Sequence, residues 1–411
     1  MKSATLIVLF TTLLTQITNA QLSGSDIVIG QTHVISSEIL NEDREIQIYL
    51  PVGYDTLLQK TYPVLYVMDG QEYFMQGIAY QNMLRFRDKT PAFIVVGIKT
   101  DRRRRRELMY NESDAFIDFI KRELIPFVDN NFRTKKEKER IYFGWEMGGG
   151  LGLELVGEHA GLFSGFILAS TTHSGRRMDA IYERDIDNST AEYMLFVVAP
   201  EETWAASDSL FISRFRNENN PNSRWRYGIL DREDHYTTAN KAIHEGLSDY
   251  FHDYKPIRYY SLQEYDDYGG LKALRSYYEK RGIRYDLPSE IHKETRHFLL
   301  LNALNENNYT RFENYVNEFD GYLASYTRPL WFNRFGRFYL ANDKIDQSIE
   351  LFKTGLSKFP EASLLHHGLG DVYHALGKRK LAKQSYQKAI EIAIENDESE
   401  LVEYQSSLKN L

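Results

Sequence analysis

The stretch Ile141-Tyr142-Phe143-Gly144-Trp145-Glu146-Met147-Gly148 decides how the rest of the chain is read. It opens with three apolar residues in the pattern of a short buried strand, and a run of small residues from Met147 to Val156 follows as a closely packed helix. Between them stands a G-x-E-x-G turn. This is the strand–turn–helix context of the nucleophile elbow G-x-S-x-G, with glutamate where serine belongs. The turn is so tight that strand and helix backbones nearly touch at the flanking positions, which accounts for both glycines.

Outward from this turn, buried-strand patterns recur on both sides. Ile46 to Pro51 alternates in polarity like a half-buried antiparallel strand. Tyr62 to Met68 is continuously apolar and stops at Asp69-Gly70, and Phe93 to Ile98 is a second such run. After Ser113, in an N-cap position, Phe116, Phe119, Ile120, Leu124, Phe127 and Val128 recur at helical spacing. Downstream runs are Gly165–Ala169, Tyr193–Val198 and Trp225–Leu230. Apolar strands alternating with helices predict an α/β fold with an open, mainly parallel sheet covered on both faces, its ligand lying beyond the carboxyl ends of the strands.

Near residue 255 the strand runs cease and long helical periodicity rich in aromatics begins. The segments 329–360 and 361–396 overlay with an offset of 34: Phe335-Gly336 on Leu369-Gly370, Tyr339 on Tyr373, Phe352 on Tyr386 and Gly355 on Ala389. Gly377 and Ala382 add further small residues. The pattern resembles the tetratricopeptide repeat, in which small residues let paired helices approach while aromatics fill the gap. Thr295 to Phe319 supplies a degenerate third helix pair, meeting the minimum of about three units for stable stacking.

Composition bounds the function. The chain has 411 residues, enough for two or three domains. With 42% apolar and 26% charged residues it reads as soluble and globular. Its net charge of -8 argues against a nucleic-acid or anionic-membrane surface. Cysteine is absent, so there is no disulfide framework, thiolate nucleophile, thiolate zinc site or lipoprotein anchor. No Gly-rich phosphate loop, HExxH motif or EF-hand loop is present, and no cofactor or metal is expected. Met1-Lys2, the apolar stretch Leu6 to Leu14 and Thr18-Asn19-Ala20 read as a signal peptide cleaved after Ala20. Its apolar core is far short of the ~20 residues that span a bilayer, so an exported protein, periplasmic or secreted and without a membrane span after cleavage, is expected.

The elbow's triad order then places an acid after the Tyr193–Val198 strand and a histidine after the Trp225–Leu230 strand. Glu201, Glu202 and Asp208 stand in the first position, with Glu202 preferred to Asp208, and Asp234-His235 in the second. An oxyanion hole would use the N–H of Met147 and another from Gly70 or Gln71. The run Arg102 to Arg106 is a solvated loop or, beyond a strand's carboxyl end, an anion clamp at the pocket mouth.

Pro63 to Gln71, Val96-Gly97-Ile98 with its arginine loop, Leu124-Ile125-Pro126-Phe127, the Gly148-Gly149 elbow, Glu233-Asp234-His235, Tyr268-Gly269-Gly270 and the repeats together resemble the enterochelin-esterase-like esterases of the α/β-hydrolase superfamily, some of which carry C-terminal tetratricopeptide repeats. The resemblance implies a signal peptide at 1–20, an α/β-hydrolase domain at 21–255, a connecting helical segment at 256–284 and repeats at 285–411. It also implies ester hydrolysis with His235 as base, Gly70, Gln71 and Met147 around the oxyanion, and a small-molecule ester or related ligand in the pocket. The repeats would take a protein or peptide partner.

The elbow serine does not carry over. Glu146 has no proton to surrender at neutral pH, and its attack on a carbonyl would pass through a mixed anhydride. Related dehalogenases and epoxide hydrolases use aspartate here against saturated carbon, but glutamate is longer by about 1.5 Å, and a ~1 Å misplacement can cost about a hundredfold. Loss of serine-esterase chemistry with retained ligand binding is therefore expected; the alternative is hydrolysis through His235-activated water or a Glu146 nucleophile. A Glu146–His235 charged pair is expected at the sheet edge.

Overall fold

β1 (Gln31–Ser37) and β2 (Glu42–Tyr49) pair antiparallel, and β2 pairs antiparallel with β4 (Ile94–Ile98). From β4 the sheet continues in parallel through β3 (Val64–Met68), β5 (Arg140–Trp145), β6 (Gly165–Ala169), β7 (Tyr193–Val198) and β8 (Arg224–Ile229). The order β1-β2-β4-β3-β5-β6-β7-β8 makes the sheet the mainly parallel one that the alternation predicted. The computed structural model describes residues 25–86, 88–159, 161–175, 177, 193–202 and 224–411. The expected signal segment 1–20 and Asp208 lie outside the described residues. Among the described residues no helix is long and apolar enough to cross a membrane.

The apolar runs become strands because helices cover both faces. Every residue of β3, β4, β6 and β7 is buried, so no alternation appears in their sequences. β1 left no such signal, since QTHVISS has only two aliphatic residues and lies at a sheet edge. The helices that matter for the site are α1 (Gly70–Arg85) after β3, α2 (Arg102–Arg106) after β4, α3 (Ser113–Phe119), α4 (Ile125–Asn131), α5 (Met147–Glu158) after β5 and α6 (Thr238–Tyr250) after β8. Ser113 is not the cap expected of it: Glu112 holds the N-cap position, and the Ser113 hydroxyl donates to Glu154 Oε1 at 2.8 Å. A π-helical turn, Ile120–Leu124, joins α3 to α4 just before Pro126, whose missing N–H breaks the regular ladder.

The described residues divide into two units, one holding those up to 80 and 92–244, the other 81–91 and 245–411. The second is helical. Its offset-34 pattern has a packing cause in the helix pairs Pro329–Ala341 with Ile345–Lys358 and Ser363–Ala375 with Arg379–Glu395. A Cβ at Gly336 would lie 2.7 Å from the Phe352 ring, and one at Gly370 would lie 2.5 Å from the Tyr386 ring. Glycine on one helix is thus the socket for the aromatic on the next, twice over. The helices Lys293–Asn305 and Tyr309–Glu318 cover the stretch read as the degenerate third pair.

In the elbow a Cβ on Gly144 would meet the Gly148 carbonyl oxygen at 2.3 Å, backbone that cannot yield without unseating α5 from β5. Gly144→Ala should lower stability by about 3 kcal/mol or more, as overpacking against backbone does. Gly175→Ala, where a Cβ meets nothing within 4 Å, should change it by less than about 0.5 kcal/mol. Thermal unfolding midpoints of the two variants check this; equal midpoints would contradict the elbow packing.

Candidate active site

Glu146 takes φ 54° and ψ -115°, on the left-handed side that a β-substituted residue adopts only under constraint, at a cost of about 1–3 kcal/mol. The neighbours impose it. The Glu146 N–H donates to Ala169 O at 3.0 Å, and its carbonyl accepts from the N–H groups of Gly150 at 3.0 Å and Thr172 at 3.1 Å. The Tyr142 hydroxyl donates to Gly148 O at 2.7 Å and holds the start of α5 on β5. The backbone therefore has the geometry expected of the G-x-S-x-G turn, with a carboxylate on its central residue.

Beyond the end of β7, the Ala199 N–H donates to Glu202 Oε2 at 2.7 Å, which presents Oε1 of the fully buried Glu202 side chain to His235 Nδ1 at 2.6 Å. A carboxylate at Nδ1 accepts from the ring there and fixes the orientation of the imidazole. The His235 N–H donates to Glu201 Oε1 at 2.9 Å, so the second glutamate orients the loop while the first addresses the ring. Trp145, next to the elbow residue, donates from Nε1 to His235 O at 2.8 Å, and its ring centroid lies 4.9 Å from the imidazole. Elbow, histidine and Glu202 are thereby tied together.

The charged pair expected between Glu146 and His235 is replaced by another. Glu146 Oε2 accepts from Arg105 Nη1 at 2.5 Å. Arg105 also donates from Nε to both carboxylate oxygens of Asp69, at 2.9 and 3.0 Å, from Nη2 to Asp69 Oδ2 at 2.9 Å, and to Trp145 O at 3.3 Å. Asp69 is buried, has φ 53°, and also accepts from the Thr100 hydroxyl. Burial works to lower the Arg105 pKa, but its bonds to Asp69 and then Glu146 outweigh that and hold it above the usual value. The glutamate side chain, one methylene longer than aspartate, reaches the fixed guanidinium and is held there while His235 keeps Glu202.

The residues expected at the oxyanion loop stand at the starts of two helices. Gly70 and Gln71 are the first two residues of α1, and Met147 is the first of α5. The first N–H groups of a helix have no intrahelical acceptor, and both helix ends carry partial positive charge. Gln71 is braced at its side chain, where the Thr100 N–H donates to Oε1 at 2.9 Å and Nε2 donates to Thr100 Oγ1 at 3.2 Å. Gln71 and Met147 line a cavity of about 610 Å³ with Asp69, Tyr73, Arg105 and Trp145; Arg102, Arg106 and Tyr236 complete much of its wall. The volume suits a small molecule. Burial and then Asp69 push the Tyr73 phenol upward, so it remains protonated and able to donate in the cavity. His173, unmarked in the sequence reading, has its pKa lowered by burial and then by Arg106 and Arg177, with Glu146 opposing.

The model of the family described as "Putative esterase" matches residues 37–269, more than half of the chain. The chain belongs to that family. A tetratricopeptide repeat model matches residues 365–393. An IroE-like serine hydrolase from Shewanella oneidensis is 19% identical, with a TM-score of 0.50 over 71% of this chain and 100% of its own. An uncharacterised protein from Capnocytophaga ochracea is 16% identical, with a TM-score of 0.51 over 92% of this chain and 99% of its own. At these identities the likeness is one of fold. None of the curated proteins searched matches the sequence.

The ion-pair geometry ranks two substitutions. Arg105→Met strands the buried Asp69 carboxylate and should cost about 3–5 kcal/mol, the usual result of removing one partner of a buried pair. Glu146→Gln keeps a hydrogen-bonding group of the same shape beside Arg105 and should cost about 1 kcal/mol. Urea denaturation of both variants beside the parent reads the order. A Glu146→Gln loss as large as that of Arg105→Met would contradict Asp69 as the main anchor.

Proposed function

We propose that this exported member of the esterase family has given up serine-ester chemistry and retains its site as a binding pocket for a small-molecule ester or related ligand, while its helical repeats engage a protein or peptide partner. The observation that carries the reading is the 2.5 Å Arg105–Glu146 contact. The residue at the nucleophile position is a carboxylate already engaged as an ion pair. Freeing it would forfeit a charge-assisted hydrogen bond worth about 1.5–3 kcal/mol, a ten- to hundredfold penalty on attack before the poor chemistry of an anhydride is counted. Export is supported by the charged start, short apolar core and small residues before Ala20. The repeat role is supported by the match at residues 365–393 and by the sockets that stack the helix pairs.

One observation favours a second reading. The Glu202–His235 pair, at 2.6 Å, has the orientation that makes imidazole a general base, and with the two helix N-termini it could direct a water at a bound ester.

The wild-type protein should neither be labelled by a fluorophosphonate nor turn over a panel of aryl and alkyl esters. Glu146→Ser supplies a hydroxyl on an elbow already in its strained conformation and leaves Arg105 on Asp69, so this variant should gain labelling. Wild-type ester turnover that survives Glu146→Gln and disappears in His235→Ala would overturn the binding-only reading in favour of histidine-activated water.

A further inference from the structure

β1 ends the sheet on one side. All seven of its residues pair with β2, from Gln31 opposite Ile48 to Ser37 opposite Glu42. On its other side no hydrogen bond is made by the strand's outward backbone groups among the described residues. Exposed edges in native proteins are ordinarily blunted by lysine, proline, inward-pointing charge or a bulge. β1 has none of these. The stretch Ile27-Val28-Ile29-Gly30-Gln31-Thr32-His33-Val34-Ile35-Ser36-Ser37 contains no Asp, Glu, Lys, Arg or Pro, whereas eleven residues at this chain's charged fraction of 26% would carry about three. Within β1 three of the seven residues, Thr32, Val34 and Ile35, are β-branched, and Val34 is exposed; Ile27 and Val28, exposed as well, precede the strand. High β-propensity without charge on a free edge marks a strand suited to pairing.

We infer that β1 pairs antiparallel with β1 of a second copy of this chain. The occupant follows from self-complementarity. A two-fold axis perpendicular to the sheet at Val34 pairs all seven residues: Val34 with its own mate, Thr32 with Ser36, His33 with Ile35 and Gln31 with Ser37. Axes at Thr32 or Ser36 would leave residues unpaired. On the solvent face, where Thr32, Val34 and Ser36 are exposed, the axis at Val34 sets an aliphatic pair between two hydroxyl pairs, both favourable cross-strand combinations. No like charges meet at any position, although each chain carries a net charge of -8. An antiparallel contact of a strand with itself is the isologous arrangement that closes as a dimer.

The strand is already ordered for this. His33 packs edge-on against Phe127 and Phe132, with centroids at 6.0 and 6.1 Å, and the Ser37 hydroxyl donates to Glu123 Oε2 at 2.5 Å. A contact built on one strand edge buries less than the roughly 1,200 Å² of a standard interface, so the dimer is concentration-dependent.

The cysteine-free sequence makes the register directly testable. Antiparallel partners have Cα atoms about 4.5–5.5 Å apart, within disulfide range, whereas Thr32 and its mate are offset by four residues, about 13 Å. Purified full-length Val34→Cys should form an intermolecular disulfide under mild oxidation at least tenfold faster than Thr32→Cys. Sedimentation velocity of the parent from about 1 to 500 μM should show monomer giving way to dimer, and Val34→Lys should weaken that association at least tenfold. A parent that stays monomeric throughout, equal cross-linking at the two positions, or a dimer indifferent to Val34→Lys would each overturn the inference.

Discussion

Arg105 is the point on which the site turns. Its guanidinium spans the carboxylate of Asp69 at the end of β3, the carboxylate of Glu146 at the end of β5 and the carbonyl of Trp145 between them. Those two strand ends, with the helices that start from them, are the two halves of the expected oxyanion loop. A planar cation with five donors satisfies both acids at once, where lysine would offer a point charge. One side chain from α2 therefore fixes the spacing between the α1 and α5 N-termini and neutralises the carboxylate at the nucleophile position.

The elbow beneath it survives for reasons of packing. Gly144 must lack a side chain because α5 passes over it, and Glu146 must take its strained φ because its N–H and carbonyl are committed to Ala169, Gly150 and Thr172. None of these constraints involves the side chain at position 146. The turn is thus compatible with glutamate at its central position, because the bonds that hold it are made by backbone groups alone. The same separation holds on the histidine side, where Glu202 is held by the Ala199 N–H and addresses His235 without reference to the elbow. The Glu202–His235 contact and the Glu146–Arg105 ion pair are therefore set by separate neighbours.

Much of the architecture was legible because its causes are local and periodic. β3, β4, β6 and β7 are buried on both faces and so are apolar throughout, and the repeats show themselves through glycines that face aromatics one helix later. β1 was illegible for the converse reason: a strand with one wet face that ends the sheet among the described residues needs no apolar pattern. Ser113 has the residue type of a cap, yet its hydroxyl serves Glu154, 41 positions away, a partner no local rule can name.

Sequence alone determined the G-x-E-x-G turn between strand and helix, its glutamate, the candidate residues that follow β3, β7 and β8 in chain order, and the repeat spacing, since each follows from residue type at short range or in chain order. Only the tertiary structure decided which charges pair. Five consecutive arginines, 102 to 106, are equivalent in sequence, and the turn of α2 alone aims the fourth at Asp69 and Glu146 while 102, 103 and 106 remain exposed. Glu146 was free in the sequence to choose His235 or an arginine. The choice went to the guanidinium because Asp69 already held it rigidly within reach, while the imidazole was held by Glu202, and charge pairing falls off too steeply with distance and orientation for chain order to settle it.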